Sequence, residues 1–90
     1  MKIIWTKHAH INLNDIVSYI ANDNPEYAIL VHDNIYKAIE HLSVFPLIGR
    51  IGKVKGTREL VSCYPYIIIY KIKSEHIEIL RIIHGAQRYP

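Results

Sequence analysis

A basic, glycine-containing stretch at 46–58 is the first part of the sequence that could bind an anion. Its cations, which no acidic residue interrupts, are Arg50, Lys53, Lys55 and Arg58. Glycines let backbone amides approach a phosphate, and the cationic side chains supply a positive potential. The stretch lacks the Gly-Lys-Ser/Thr ending of a nucleotide-binding P-loop, so we expect no nucleoside triphosphate site. From charge alone, a solvated basic loop is the simpler interpretation.

Arg81 and the C-terminal stretch that begins at His84 are the other candidates. Arg81 lies between apolar residues in a predicted strand, and a buried guanidinium is costly unless a carboxylate or an anionic ligand faces it. The simpler interpretation is an internal salt bridge, to Glu59 or to an acid on a helix. The side chains of His84, Arg88 and Tyr89 would combine an acid/base imidazole, a phosphate-binding guanidinium and a stacking or proton-sharing phenol. An exposed tail is the alternative.

Together these side chains match the groups that cleavage of RNA requires. The reaction needs a base for the 2′-hydroxyl, cations for the phosphorane transition state and an acid for the leaving oxygen, and a stacking platform orients the substrate. The side chains that could fill these roles are His84, Arg58, Arg81, Arg88, Lys53, Lys55 and Tyr89. The same inventory would serve a protein that only binds its target, so enzymatic and binding functions both stay open.

We expect neither a metal nor another cofactor. His8 and His10 are two positions apart in a predicted helix and point in different directions, and no Cys/His cluster has ligand spacing. No Ser-His-Asp arrangement is evident. The lone Cys63 cannot form an intrachain disulfide, and we expect it to be a buried, inert thiol within a strand.

Length and composition predict one small cytoplasmic domain over residues 1–90. Ninety residues allow one core, and half of them are hydrophobic, which excludes a disordered chain. The net charge of +3 is a mild bias toward acidic partners. No charged n-region with an apolar h-region opens the sequence, and no apolar run approaches the ~20 residues of a membrane span.

Short-range patterns predict the elements that position the candidate residues. The stretch 2–6 is short, apolar and β-prone, and the Thr6 hydroxyl can cap a following helix. Two stretches of helical periodicity follow, and Asn24 and Pro25 between them suit an N-cap and a first helical position. Helices joined by so short a connection should pack as an antiparallel hairpin.

The stretches after the helices predict the rest of an α+β domain. We expect an irregular loop at 46–56, a strand at 58–64 and a β-hairpin at 66–84. The fold is therefore an N-terminal strand, a two-helix antiparallel hairpin and a mostly antiparallel sheet of three further strands.

The predicted hairpin has two apolar faces. A loop of two or four residues would place Lys71 opposite Glu78 and Ile69 opposite Leu80. One face would consist of Ile67, Ile69, Lys71, Lys73, His76, Glu78, Leu80, Ile82 and His84, and the other of Tyr66, Ile68, Tyr70, Ile72, Ile77, Ile79, Arg81 and Ile83. We expect the helices to cover one face and a partner or substrate to cover the other, near Arg81 and His84.

Several short segments of the chain are shared with a known family. They are Trp5-Thr6, Asn24-Pro25, Phe45-Pro46-Leu47-Ile48-Gly49-Arg50, Gly56-Thr57-Arg58-Glu59-Leu60, Tyr70 and Ile79-Leu80-Arg81-Ile82-Ile83-His84-Gly85. In these segments the sequence resembles the RelE/ParE superfamily of bacterial toxins over nearly its whole length. Gly-Thr-Arg-Glu-Leu followed by Leu-Arg-x-x-His-Gly is specific in combination, and Asn24-Pro25 and Gly56 to Leu60 are closer to the ParE-like side.

The resemblance implies a growth-inhibiting toxin of a type II toxin-antitoxin module. Such a toxin is neutralised by an antitoxin encoded beside it, in a hetero-oligomer. ParE-like members inhibit DNA gyrase, which is the favoured target here, whereas RelE-like members cut messenger RNA on the ribosome, which is the alternative. RelE-like nucleases usually carry sheet cations and a C-terminal Arg and Tyr, which are matched only loosely by Lys53, Lys55, Arg58, Arg88 and Tyr89. A non-toxic protein-binding module is the remaining alternative.

Overall fold

A computed structural model describes residues 1–85 of the chain. Its elements, in order, are β1 (Lys2–Trp5), α1 (Lys7–Ala21), α2 (Pro25–Leu42), β2 (Arg50–Ile51), β3 (Arg58–Val61), β4 (Tyr66–Ile72) and β5 (His76–His84). The strands form a five-stranded sheet in the order β1-β5-β4-β3-β2. β1 runs parallel to β5, and the other neighbours are antiparallel. The predicted α+β fold is confirmed, with one strand more than expected, because β2 lies inside the stretch predicted to be irregular.

Both helices begin where their caps predict. The Thr6 hydroxyl accepts a hydrogen bond from the Ala9 amide at 3.2 Å, and the Asn24 side chain accepts one from the Tyr27 amide at 3.1 Å. Pro25 occupies the start of α2, where its missing N–H costs nothing. Within residues 1–85, no helix is long and apolar enough to cross a membrane.

The helices pack on one face of the sheet and bury the core there. The buried members of this cluster are Ala9, Leu13, Val31, Ile35, Ile39, Leu42, Ile68, Tyr70, Ile77, Ile79 and Ile82. Large aliphatic side chains of the helices thus contact every second residue of β4. This follows because one face of a helix repeats about every 3.6 residues and one face of a strand every two. The sheet has a second face that these helices do not cover, which we call the open face.

A bulge in the β4–β5 hairpin changes the predicted register. Lys71 pairs with Glu78 as expected, but Ile69 pairs with Arg81, and Leu80 is the extra residue. The predicted faces therefore hold as far as Ile79 and are wrong beyond it. The bulge places Ile82 in the helix-covered core and turns Arg81 to the open face, because a shift of one residue exchanges the faces of a strand.

The end of β3 is a second difference from the sequence prediction. β3 stops at Val61 rather than at residue 64, and the Ser62 amide donates to the Tyr66 carbonyl at 3.0 Å to close a turn. Cys63 lies in this turn with a positive φ of 52° and is half-buried. It is therefore not the buried strand residue that we expected.

Candidate functional site

The open face of the sheet brings two of the predicted site residues into one row. Arg50 pairs with Glu59, Glu59 with Ile69, and Ile69 with Arg81. Directly paired residues of antiparallel strands share a face. The four residues therefore form a row across the sheet from β2 to β5, with two guanidinium groups, one carboxylate and one isoleucine. We call these four residues the charged row.

Arg50 and Glu59 form an ion pair at the β2 end of the charged row. Arg50 Nε and Nη2 each lie 3.0 Å from Glu59 Oε1, and the Lys53 amide donates to Glu59 Oε2 at 3.3 Å. The Glu59 side chain is 7% exposed and that of Arg50 is 62% exposed. A buried carboxylate needs such donors, because burying it without them is costly. Glu59 therefore holds Arg50 at the sheet edge, where most of the Arg50 side chain faces solvent.

Arg81 has an amide partner in place of the expected acid. Its Nε donates to Asn12 Oδ1 at 3.1 Å, and the same oxygen accepts the Ile82 amide at 3.1 Å. Within residues 1–85, Arg81 takes part in no salt bridge, so the internal salt bridge suggested by the sequence is wrong. Glu59 is occupied by Arg50, and a neutral amide orients Arg81 without cancelling its charge. That charge can therefore attract an anionic partner.

His84 lies at the exposed end of β5 and borders two pockets. Its ring contacts Tyr66 edge-on, with 5.7 Å between the ring centroids. A pocket of about 370 Å³ is lined by Arg50, Val61, Tyr64, Pro65, Ile67, His84 and Gly85. A second, of about 450 Å³, is lined by Asp15, Ile16, Tyr19, Tyr66 and His84. The first pocket combines an imidazole with a guanidinium, which can bind an anion and exchange a proton with it.

Tyr66, beside His84, is a protonated phenol over an extended pH range. Burial is the main cause that raises its pKa above the ordinary tyrosine value, and the neighbouring Tyr27, Cys63 and Tyr19 add to the effect. At neutral pH the phenol therefore contributes an uncharged edge to the second pocket.

Arg58 lies on the helix-covered face, opposite the charged row. It pairs with Tyr70, whose ring is in the core, and its Nη1 donates to the Gly49 carbonyl at 2.7 Å. It also borders a pocket of about 260 Å³ with Ile51, Gly56, Thr57 and Ile72. The sheet therefore separates Arg58 from Arg81, although the sequence groups them as candidates for one site.

Lys53 and Lys55 are exposed cations in the connection between β2 and β3. Hydrogen bonds from the Gly52 amide to the Thr57 carbonyl at 2.8 Å and from the Thr57 hydroxyl to the Val54 carbonyl at 2.6 Å shape this connection. Its tip is a positive projection near the sheet edge. The other two predicted site residues, Arg88 and Tyr89, lie outside the described residues. Among residues 1–85, no three His, Cys, Asp or Glu side chains form a group that could hold a metal ion.

Asn12 and Tyr70 are residues of this region to which the sequence assigned no role. Asn12 is half-buried beside Leu13 on α1, and a polar side chain at the margin of an apolar stripe is a signal that it has a partner. Tyr70 is fully buried and stands within a run of isoleucines. A buried tyrosine hydroxyl usually finds a hydrogen-bond partner, but the sequence does not show which one.

The sequence comparisons give the family. The model described as the ParE toxin of the type II toxin-antitoxin system parDE matches residues 3–89. The putative toxin Y4kP of Sinorhizobium fredii is 42% identical over 90 residues, which cover 99% of this chain and 93% of that protein. Toxin RelE2 of Caulobacter vibrioides is 31% identical over 86 residues, covering 96% of this chain and 97% of that protein.

Solved structures share the fold. A chain of the chromosomal ParDE toxin-antitoxin system from P. aeruginosa superimposes with a TM-score of 0.85 at 27% identity, covering 93% of this chain and 95% of that one. A chain of the toxin-antitoxin complex RelBE2 from Mycobacterium tuberculosis gives a TM-score of 0.64 at 24% identity, covering 92% and 95%; the second likeness concerns the fold alone.

The two helices on a mixed five-stranded sheet define a toxin fold of the RelE/ParE type. The chain belongs to the ParE toxin family of type II toxin-antitoxin systems. The resemblance noted in the sequence is thereby confirmed.

Proposed function

We propose that this toxin arrests bacterial growth by inhibiting DNA gyrase and that a cognate antitoxin neutralises it. The observation that carries the proposal is the match of the ParE toxin model to residues 3–89. The placement of Arg58 and Arg81 on opposite faces of the sheet supports it. A gyrase inhibitor needs a surface that fits its target but does not need a cluster of catalytic groups. The separation of Arg58 from Arg81 is therefore compatible with gyrase inhibition.

The antitoxin is proposed to combine apolar and acidic contacts. It would lay an apolar helix or strand on exposed apolar surface of the toxin and bring acidic side chains to the basic stretch between Arg50 and Arg58. Arg81 adds a cation that has no ion-pair partner among residues 1–85. Part of the affinity should then fall with rising salt, because exposed charges are screened over about 8–10 Å at physiological ionic strength. Equal dissociation at low and high salt would contradict the electrostatic part.

A ribosome-dependent messenger RNA endoribonuclease is the second candidate. It is favoured by the 31% identity to Toxin RelE2 and by the pocket that His84 shares with Arg50. In that case His84 would act as the acid or base, and one of Arg81 and Arg58, which lie on opposite faces of the sheet, would stabilise phosphate charge. The ribosome would position the substrate, so few protein groups would be needed.

Induced expression in bacteria shows whether DNA gyrase or messenger RNA on the ribosome is the target. Messenger RNA cleavage within ribosomes should be measured alongside double-strand DNA breaks and the SOS response. Gyrase inhibition predicts DNA damage with intact transcripts, and cleaved transcripts without DNA damage would refute it. Co-expression of the neighbouring small open reading frame should restore growth. Soluble expression without growth arrest would instead indicate a non-toxic protein-binding module.

Two substitutions test the site residues. If the protein is a nuclease, folded His84→Ala and Arg58→Ala variants should each lose about 10²-fold or more of the cleavage rate, as loss of a general acid or of a charge stabiliser does. His8→Ala, at an exposed histidine of α1 that lines neither pocket beside His84, is the matched control. Full toxicity in both alanine variants would remove these residues from the site.

A further inference from the structure

Residues 44–48, which follow α2, form an exposed run of apolar side chains that we call the apolar segment. The exposed fractions are 67% for Val44, 55% for Phe45, 66% for Leu47 and 53% for Ile48. With Pro46, these residues line a pocket of about 410 Å³. Single exposed apolar residues are ordinary, but a contiguous patch with a concave surface is typical of an interaction site.

Two hydrogen bonds of the Tyr70 hydroxyl fix the backbone in and next to the apolar segment. The Tyr70 hydroxyl donates to the Pro46 carbonyl at 2.7 Å and accepts the Gly49 amide at 2.9 Å. Tyr70 is fully buried, so water does not compete for these bonds. The approach is close enough that a Cβ on Gly49 would lie 2.6 Å from the Tyr70 hydroxyl oxygen. A segment ordered before binding loses less entropy when a partner docks on it.

Cationic groups lie at both ends of the apolar segment. At the β2 end, Arg58 Nη1 donates to the Gly49 carbonyl at 2.7 Å, and Arg50 follows Gly49 with a side chain that is 62% exposed. At the other end, just after α2, the Met1 ammonium donates to the Ser43 carbonyl at 2.7 Å. The surface is therefore complementary to a partner that carries acids beside an apolar anchor.

We propose that the apolar segment is a docking site for an amphipathic stretch of the antitoxin, whose apolar side chains enter the pocket while its acidic side chains face Arg50 and Arg58. The inference rests on the proposed neutralisation by an antitoxin. Tyr70 is a positioning residue in this site: it contacts the backbone of the apolar segment and acts on the partner only through it.

The test uses the full chain and the purified product of the adjacent small open reading frame, with binding measured by calorimetry. Leu47→Ser and Ile48→Ser should each raise the dissociation constant about tenfold or more, as truncation of a central apolar contact does. Tyr70→Phe should weaken binding in the same direction and speed hydrogen exchange at the Gly49 amide. Ile29→Ser, at a side chain that is 63% exposed near the start of α2, is the matched control and should change the affinity little.

Growth arrest separates this inference from the proposed function. Leu47→Ser and Ile48→Ser should still arrest growth, which also shows that they fold, but co-expression of the antitoxin should no longer rescue it. Lost arrest with unchanged antitoxin affinity would assign the apolar segment to the target and overturn the inference. The inference would also be overturned if Ile29→Ser and Leu47→Ser lost equal antitoxin affinity. The same holds if the wild-type toxin were a dimer and Leu47→Ser made it a monomer. If the wild type caused no arrest or did not bind the product, the proposed function itself would fail.

Discussion

Asn12 Oδ1 accepts hydrogen bonds from both Arg81 Nε and the Ile82 amide, each at 3.1 Å. One neutral side chain of α1 thus satisfies the backbone of β5 where β1 has ended and at the same time orients a guanidinium. A carboxylate in the same place would satisfy both donors but would also neutralise Arg81. The choice of an amide keeps the positive charge for contacts outside the molecule.

The substitution Asn12→Asp tests whether that charge is used. The variant keeps the shape and both acceptor roles, so the fold should be retained and the midpoint of thermal unfolding should not fall. The affinity for the antitoxin should drop about tenfold, because a fixed carboxylate competes with acidic groups of the partner for Arg81. Calorimetry at low and moderate salt measures the effect, with Asn14→Asp on the exposed side of α1 as the control for added charge. Equal affinities of Asn12→Asp and Asn14→Asp would show that Arg81 makes no contact with the partner.

Tyr70→Phe should lower the free energy of unfolding by about 1–3 kcal/mol. The substitution leaves the aromatic ring in the core but removes a hydroxyl that bonds Pro46 and Gly49, and a buried amide without a partner carries a penalty of this size. Urea denaturation measures the loss, and Tyr19→Phe, whose hydroxyl is on an exposed side chain, should change the free energy by less than about 0.5 kcal/mol. A Tyr70→Phe variant as stable as wild type would mean that water replaces these bonds.

The stability of the protein should fall above about pH 10 in a way that depends on Tyr70. Burial raises the pKa of Tyr70, although the hydrogen bond from the Gly49 amide and the charge of Arg58 lower it in part. The unfolded chain releases this proton near the ordinary value of about 10, whereas the folded protein retains it to higher pH. The contribution is therefore fully present below pH 10 and is lost as the pH rises through the folded pKa.

Urea unfolding at several alkaline pH values measures this loss. The Tyr70→Phe variant should lose less stability than wild type over the same range, although Tyr66, whose pKa is also raised, contributes to both proteins. Parallel curves for the two proteins would contradict the assignment of this pH dependence to Tyr70.

The Arg50 and Glu59 pair should show strongly non-additive effects on stability. Arg50→Gln leaves the buried Glu59 carboxylate with the Lys53 amide as its remaining donor among those described, so we expect a loss of about 1–3 kcal/mol. In the double variant with Glu59→Gln, the buried charge is gone and much of that loss should be recovered. A double-mutant cycle by urea denaturation gives the coupling energy. Additive losses would show that the exposed Arg50 contributes no more than an ordinary surface pair.

The sequence determined the two helices and the β4–β5 hairpin because their signals are local. The caps at Thr6 and Asn24, the proline that opens α2 and the apolar stripes of both helices depend on residues within one or two turns of each other. The turn between β4 and β5 is local too, so the pairing of Lys71 with Glu78 was predictable. The segments that resemble the RelE/ParE superfamily predicted how these elements are arranged in the fold.

Tertiary structure alone decided which cations share a surface. The bulge at Leu80 turned Arg81 to the open face, and the periodicity of a strand cannot locate an extra residue, because its position depends on how the partner strand and the helices pack. Glu59 could have formed an ion pair with Arg50 or with Arg81, and only the register across the four strands from β2 to β5 placed it beside Arg50. The hydroxyl of Tyr70 met Pro46 and Gly49 for the same reason: contacts between residues more than 20 positions apart are set by the packing of the whole sheet.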